Sequence, residues 1–150
     1  MSGDELSAEI QRLKDIEAIK QVKAFYCRCI DTKDWDGWVS VTTDDLTLDT
    51  DGGLQQGRDT ILASLQQSLA SAKTVHQVHV AEITIDGDRG HAIFPMQDYV
   101  EMTFGDKSFK IRGFGQYHED YARTPDGWKL QRSKLVRLHV DTEGELPSRG

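Results

Sequence analysis

Residues 89–104, RGHAIFPMQDYVEMTF, alternate along their whole length between an almost purely apolar set and a mixed set. This period of two predicts a β-strand with one buried face. Because the strand is longer than usual, we expect it to twist and curl. The apolar face consists of Ala92, Phe94, Met96, Asp98, Val100, Met102 and Phe104.

The segments around this strand predict three more long strands and an antiparallel meander. The four predicted strands lie at 74–85, 89–104, 108–124 and 128–140. The turn sequences between them are Asp86-Gly87-Asp88, Gly105-Asp106 and Pro125-Asp126-Gly127. Each turn is short enough for a hairpin. Pro95 and the Gly113/Gly115 pair are the predicted points of a bulge or bend.

The first half of the chain predicts helices. Apolar residues recur every three or four positions from Leu6 to Cys29, which is typical of a long amphipathic helix. Ser2 and Glu5 have the spacing of a capping box at its start. Shorter helices are predicted at about 34–41 and 58–72, with a strand at 45–50 and a glycine turn at 52–53 between them.

Together these elements predict an α+β fold, in which three helices close a curled antiparallel sheet into a cone-shaped α+β barrel. The concave face of such a sheet favours a small-molecule cavity. We expect one domain over residues 1–150, with an ordered core of about 6–140. The polar ends, 1–5 and 141–150, are expected to fray.

The composition excludes several classes of function. The 150 residues contain 18 Lys and Arg against 25 Asp and Glu, for a net charge of −7, which argues against a nucleic-acid partner. No apolar run approaches the roughly 20 residues that span a bilayer, so no membrane partner is expected. The acidic start MSGDELSAE has no signal-peptide pattern. Cys27 and Cys29 lie too close on one predicted helix to bridge, and reduced thiols indicate a cytoplasmic protein.

Asp98 is the one polar residue on the apolar face of the 89–104 strand. A carboxylate there must be paired, hydrogen-bonded or held neutral, because bare burial costs several kcal/mol. One interpretation is a functional carboxylate in the cavity, and the other is an aspartate satisfied by backbone N–H groups at a bulge. The candidate partners are Arg137, Tyr26, His76 and His118.

His76 and His79 fall on opposite faces of the segment TVHQVHVAEI, residues 74–83. At most one of them faces a given cavity, and either is equally consistent with a core or rim histidine that makes one hydrogen bond. Two histidines on opposite faces do not make a metal site. With no C-x-x-C motif to bind zinc either, we expect no metal and no cofactor.

Three further positions have two interpretations each. Tyr26 and Asp31 are five residues apart, about 140° around a helix, so they serve one cavity only if the helix ends or bends between them. Asp31 is also a candidate cap for the next helix, and Tyr26 alone is consistent with the core. Arg137, in KLVRLHV, is either a rim charge or the partner of a buried carboxylate.

Several separated segments resemble one known superfamily. They are DIEAIKQVKAFYCRCIDTKDWDGW at 15–38, VHQVHVAEITIDGD at 75–88, MQDY at 96–99 and KLVRLHV at 134–140. In this order they resemble the nuclear transport factor two-like superfamily and, within it, the SnoaL-like branch. The first segment is especially similar to the bacterial bile acid 7α-dehydratases. The resemblance covers about residues 13–140.

This resemblance implies catalytic roles at five matching positions: Tyr26, Asp31, His76, Asp98 and Arg137. It implies a cofactor-independent lyase of dehydratase type, acting on an apolar cyclic or aromatic small molecule. His76 would be the general base, held by Asp31, and Tyr26 would donate to a developing oxyanion. Asp98 and Arg137 would form a second polar cluster.

The expected cavity lining is Phe25, Trp35, Phe94, Met96, Met102 and His118. The resemblance also implies a homo-oligomer, a trimer or a dimer, packed through a convex face that includes Val136, Leu138 and Val140. The competing hypotheses are a non-catalytic small-molecule binder of the same fold, and an isomerase or aldol-type cyclase. A hydrogen bond between Asp31 and the His76 ring inside the cavity would discriminate against the binder.

Overall fold

The computed structural model describes residues 1–146, which form three helices and seven strands. The helices are α1 (Gly3–Thr32), α2 (Trp35–Ser40) and α3 (Arg58–Ser68). The strands are β1 (Thr42–Thr50), β2 (Gly53–Gln56), β3 (Lys73–Val78), β4 (Glu82–Asp86), β5 (Arg89–Phe104), β6 (Lys107–Thr124) and β7 (Gly127–Gly144).

All seven strands belong to one sheet, in the order β2-β1-β7-β6-β5-β3, and β4 pairs with β5 beyond the end of β3. The pairs are antiparallel except for β1, which lies parallel to β7. Since β2 and β3 are the two ends of this order, the sheet curls without closing. Helices α1 and α3 pack against it. The predicted cone-shaped α+β fold is confirmed.

Helix α1 begins where the sequence indicates. The Ser2 hydroxyl accepts from the backbone of Glu5, and the Glu5 carboxylate accepts from the backbone of Ser2, which completes the predicted capping box. The predicted apolar stripe is only half buried, because Leu6, Ile10 and Leu13 stay 46–55% exposed in the first turns. From Asp15 onward the helix packs on the sheet.

The prediction of a single strand at 74–85 is wrong. The segment divides into β3 and β4, with residues 79–81 between them and Val80 90% exposed. Both strands pair with β5, on either side of Pro95, which has no N–H to donate to a neighbour. The Pro95 carbonyl accepts from His79 N at 2.9 Å instead. The predicted irregularity at Pro95 therefore lies on this side of β5, where the register shifts by one residue between the Val78–Met96 and Glu82–Ile93 pairs, while the pairing of β5 with β6 is continuous.

The predicted bulge near Gly113 and Gly115 is confirmed. The register between β6 and β7 shifts between Phe114 and Gly115, which leaves Leu138 as the extra residue on β7. A Cβ atom on Gly115 would overlap the carbonyl oxygen of Val136. Because of the bulge, Val140 pairs with Gly113, on the face that carries Asp98.

A single convex face formed by Val136, Leu138 and Val140 is therefore not present, since the bulge reverses the alternation between the first and the last of them. Assembly through the sheet stays a prediction. Leu138 is 71% exposed and is the most prominent apolar side chain on this part of β7.

Several predicted boundaries were wrong by a few residues. Strand β1 begins at Thr42, helix α3 ends at Ser68, and the short strand β2 was not predicted. The ends that were expected to fray contribute the start of α1 and the last residues of β7, up to Gly144. The last part of the predicted C-terminal tail, 147–150, lies outside the described residues. No helix within residues 1–146 is long and apolar enough to cross a membrane.

Candidate active site

A cavity of about 350 Å³ lies between α1, α3 and the concave face of the sheet. Four of the five predicted catalytic residues line it: Tyr26, His76, Asp98 and Arg137. Much of the rest of the wall is apolar, from Ile30, Leu48, Leu65, Leu69, Val100 and Leu135. The volume is in the range of small-molecule sites, and an apolar wall with a few polar groups is their usual character.

The fifth predicted residue, Asp31, holds His76 from outside the cavity. Its Oδ1 lies 2.7 Å from His76 Nδ1, and its Oδ2 accepts from the backbone N of His76 at 2.8 Å. Thr74 Oγ1 donates to the same carboxylate at 2.9 Å. A carboxylate at Nδ1 favours the tautomer that carries its proton there, so Nε2 is the free base. His76 Nε2 makes no hydrogen bond within residues 1–146.

The helix explains why Tyr26 and Asp31 have different positions. Helix α1 continues unbroken to Thr32, so the two side chains keep the separation that a straight helix imposes. Tyr26 lines the cavity, while Asp31 reaches the end of β3 beside it. The alternative role of Asp31 as a helix cap is wrong, because Asp34 caps α2 by accepting from Gly37 N at 2.9 Å.

Asp98 is paired with Arg137, so its partner is a side chain and not backbone N–H groups at a bulge. The guanidinium donates to both carboxylate oxygens, Nη1 to Oδ1 at 2.7 Å and Nη2 to Oδ2 at 2.9 Å. The side chains are 4% and 16% exposed. Asp98 also lies directly opposite His76 in the β3–β5 pair. Opposite residues share a face of the sheet, so both polar clusters belong to one site.

Arg137 has a second carboxylate partner that the sequence did not predict. Asp51, in the turn between β1 and β2, accepts from Nε at 3.0 Å and from Nη2 at 2.8 Å. Burial lowers the pKa of Arg137, but the hydrogen bonds with Asp98 and Asp51 raise it more, so its net pKa is above the ordinary value. Arg137 therefore stays a cation and ties the exposed turn to the cavity wall.

Two tyrosines present hydroxyls to the cavity. Burial raises the pKa of Tyr26 to about 12, against smaller lowering effects of Lys23 and Trp38, and it raises the pKa of Tyr117 well above its ordinary value. Both are therefore neutral donors near pH 7. Within residues 1–146, neither O–H group donates to another residue, and the Tyr26 oxygen lies close enough to the Trp38 indole for a hydrogen bond from it to lower the pKa of Tyr26. Sequence reasoning did not identify Tyr117 as a site residue.

A buried ion pair, Lys23 with Glu119, was also missed. Lys23 borders the cavity, and Glu119 lies beneath it on the concave face of β6. The signal was present in the sequence, because Glu119 lies between Tyr117 and Tyr121 on one strand face. It is the same pattern of a carboxylate on a hydrophobic strand face that identified Asp98.

None of the six residues predicted to line the cavity does so. Phe94 and Met96 are buried in the core, where apolar helix side chains fill the narrow part of the cone. Phe25 and Trp35 pack against this core, and Met102 lies beyond the cavity along β5. His118 is exposed and pairs with Ile93, on the opposite face of the sheet from Asp98. It therefore cannot be the partner of Asp98.

No group of three or more His, Cys, Asp or Glu side chains in residues 1–146 is arranged to hold a metal ion. Cys27 and Cys29 are both free and buried. The polar groups at the cavity wall are one imidazole, two neutral phenols and the ion pairs of Arg137 and Lys23.

Solved structures share this architecture. A protein from Kribbella flavida is 25% identical, with a TM-score of 0.78 over 85% of this chain and 93% of that chain. A hexachlorocyclohexane dehydrochlorinase is 17% identical, with a TM-score of 0.78 over 95% and 97%. A candidate scytalone dehydratase from Novosphingobium aromaticivorans is 16% identical, with a TM-score of 0.75 over 86% and 87%.

The sequence itself gives the family. The profile of the SnoaL-like domain family matches residues 11–134. This range extends from the third turn of helix α1 through most of the sheet, and it includes four of the five predicted catalytic residues. The chain belongs to the SnoaL-like domain family.

Proposed function

We propose that this protein is a cofactor-independent lyase of dehydratase type, which acts on an apolar cyclic or aromatic small molecule. The observation that carries the proposal is the Asp31–His76 pair at the wall of an apolar cavity. The pair leaves one basic nitrogen available in a site that also contains neutral phenol donors.

The reaction begins with proton abstraction. His76 Nε2 takes an acidic C–H proton, and Asp31 stabilises the imidazolium that forms while it keeps the ring in place. An imidazole is suited to this step because its ordinary pKa lies close to neutral pH. The electron pair of the C–H bond becomes the new double bond, or passes first through an adjacent carbonyl as an enolate.

The leaving group departs in the second step. A β-hydroxyl leaves with its bonding electrons and takes a proton from the His76 imidazolium, so that water is released and the base is restored. Tyr26 donates a hydrogen bond to the oxygen on which charge develops. The Asp98–Arg137 pair lies beside His76 and positions the departing hydroxyl, to which the guanidinium is a fixed donor.

The structural neighbours support a lyase. The names of two of them describe the loss of HCl from hexachlorocyclohexane and the dehydration of scytalone, and both of these substrates are cyclic. At 16–17% identity, these likenesses establish the shared fold, and the assignment of chemistry to this chain rests on its own residues.

A non-catalytic binder of the same fold is the competing function. A binder would use the apolar cavity, but it has no need for a histidine oriented by a carboxylate and a backbone contact. An isomerase would use the same base and return the proton to another carbon of the substrate. The product distinguishes these outcomes: elimination releases water or halide, isomerisation conserves mass, and a binder forms no product.

The test is turnover of a panel of cyclic β-hydroxy ketones and halogenated rings, followed by mass spectrometry. We expect loss of water or hydrogen halide with the wild type, and a fall of about 10²–10⁴-fold for His76→Ala. His79→Ala is the matched control, because this exposed histidine lies outside the cavity. Equal turnover by His76→Ala and the wild type would contradict the proposal.

A further inference from the structure

The inner part of the cavity contains a second charged group besides the Asp98–Arg137 pair. Lys23 Nζ lies 2.9 Å from Glu119 Oε2, and the two side chains are 1% and 0% exposed. Glu119 also accepts from Tyr121 OH at 2.7 Å and from the Ser133 hydroxyl. Glu119 therefore accepts from three donors, and with the Lys23 ammonium it forms a buried ion pair.

Lys23 keeps its charge in this environment. Burial lowers its pKa, but the charge of Glu119 and the neighbouring groups outweigh the burial, so the net pKa is raised. The ammonium lies 3.9 Å from the ring centroid of Tyr117 and 4.7 Å from that of Tyr26, an arrangement in which aromatic rings stabilise a cation. Lys23 is therefore an electrostatic group and not a neutral amine that could form a Schiff base.

The donors of this cluster exceed its acceptors. An ammonium has three N–H groups, and within residues 1–146 Glu119 is the one hydrogen-bond acceptor of Lys23. The O–H groups of Tyr26 and Tyr117 likewise have no acceptor in that range. All three residues border the same cavity. Neither hydroxyl is among the fully buried side-chain atoms that lack a partner in residues 1–146, so each is open to an acceptor that enters the cavity.

The cluster lies deeper in the cavity than the Asp98–Arg137 pair. Gly113 pairs with Asp98, and Tyr117 lies four residues further along β6 on the same face. The side chains of Arg137 and Asp51 are 16% and 59% exposed, whereas those of Lys23 and Glu119 are 1% and 0% exposed. The cavity therefore has a charged mouth at Arg137 and a buried donor cluster at Lys23.

We propose that Lys23, Tyr26 and Tyr117 form a binding site for an anionic oxygen, of the enolate or phenolate type, at the inner end of the cavity. The assignment rests on the proposed function, whose substrate it narrows to molecules that carry a carbonyl or phenolic oxygen on an apolar ring. Glu119 holds the ammonium in place, and since its own oxygens are occupied by donors, an incoming oxygen meets N–H and O–H groups.

The test uses 2-naphthol as the probe, with naphthalene as the matched molecule without oxygen. Titration of each compound into the wild type gives two dissociation constants, and their ratio is the preference for naphthol. Absorbance across a pH series gives the pKa of the bound naphthol. We expect naphthol to bind at least about tenfold more tightly than naphthalene, with a lowered pKa when bound. Lys23→Met combined with Glu119→Gln, which leaves no unpaired buried charge, should remove both effects.

Tyr117→Phe provides a second variant that keeps the ring and its packing. We expect it to reduce the naphthol preference several-fold, whether or not the double variant folds. The proposal is overturned if the wild type shows no naphthol preference, or if both variants keep it unchanged.

His76→Ala separates this site from the lyase function. We expect this variant to keep the naphthol preference, because His76 lies beside Asp98 and not beside Lys23. A preference that disappears with His76→Ala and survives in the Lys23 variant would place the oxygen at His76 and overturn the proposal. If the wild type prefers naphthol but turns over no substrate, the binding site for an anionic oxygen is supported and the proposed lyase function is contradicted.

Discussion

The guanidinium of Arg137 reaches Asp98 across an intervening strand. Asp98 lies on β5 and Arg137 on β7, and these strands do not touch, because β6 separates them. The contact at 2.7 Å passes over Gly113 of β6, where no side chain fills the space. The bulge at Leu138 puts Arg137 opposite Gly115 and turns it toward this space. Two glycines and one bulge therefore produce the polar mouth of the cavity.

Gly113→Ala should separate this ion pair. A Cβ atom at this position would overlap both Arg137 Nη1 and Asp98 Oδ1, so the guanidinium must move away. We expect unfolding free energy to fall by about 1–3 kcal/mol and turnover to fall with it. Urea unfolding and turnover measure the two effects. Gly3→Ala is the control, because it meets no neighbouring atoms, and equal losses in the two variants would contradict this role for Gly113.

Asp98→Asn should lower both stability and activity. The amide keeps the shape but removes the charge that Arg137 faces in a largely buried position. Asp51 still compensates the guanidinium, so we expect a loss of up to about 3 kcal/mol, at the lower end for a broken buried pair. Thermal melts and turnover of Asp98→Asn and Asp98→Leu provide the measurement. If Asp98→Leu is more stable and fully active, Asp98 has no role in the site.

Sequence periodicity identified Asp98, the one polar residue on an apolar strand face, but it left His76 and His79 as alternatives, and the resemblance to the SnoaL-like branch selected His76. Periodicity could not choose the partner of Asp98, since the orientation of Arg137 depends on the bulge at Leu138, which interrupts the alternation of β7. The break between β3 and β4 was hidden for a similar reason. Its cause, Pro95, lies on the neighbouring strand, and the alternating pattern itself continues through residues 79–81.

The residues that line the cavity could not be predicted from sequence periodicity. A strand pattern places Phe94 and Met96 on the concave face, but the depth to which helices fill that face depends on packing between distant elements. Lys23 was missed because a lysine on an amphipathic helix normally extends its ammonium into solvent. Only its long-range contact with Glu119 makes a buried position tolerable.

Acid should destabilise the protein through Asp15. Arg123 donates to both oxygens of this buried carboxylate, and this interaction lowers its pKa to about 2. Because the pKa of Asp15 is lower in the folded state than in the unfolded state, its charge stabilises the fold at any pH above the ordinary pKa of an aspartate. This stabilisation is lost as the pH falls from about 4 to about 2. We expect a loss of up to about 2 kcal/mol from this group.

Urea unfolding at pH 6 and at pH 3 measures this dependence. Asp15→Asn should be less stable at pH 6 and lose less stability on acidification, because it has no charge to neutralise. Asp126→Asn, in the exposed turn between β6 and β7, is the control and should behave as the wild type. An unchanged acid response in Asp15→Asn would contradict the assignment.

Asp31→Asn tests the link between α1 and the base. The amide can still accept from the backbone N of His76, but it cannot stabilise an imidazolium, and its NH₂ group can donate to Nδ1 and move the ring proton to Nε2. We therefore expect turnover to fall by about 10²–10⁴-fold while the protein stays folded. The pH profile of turnover should also change, since the base is no longer the Nε2 of an oriented neutral imidazole.

Thr74→Val is the matched control: it removes one hydrogen bond to the same carboxylate but leaves its charge in place, and its effect should be much smaller. If Asp31→Asn keeps the turnover and pH profile of the wild type, the contact at 2.7 Å between Asp31 and His76 holds the helix to the sheet and does not serve catalysis.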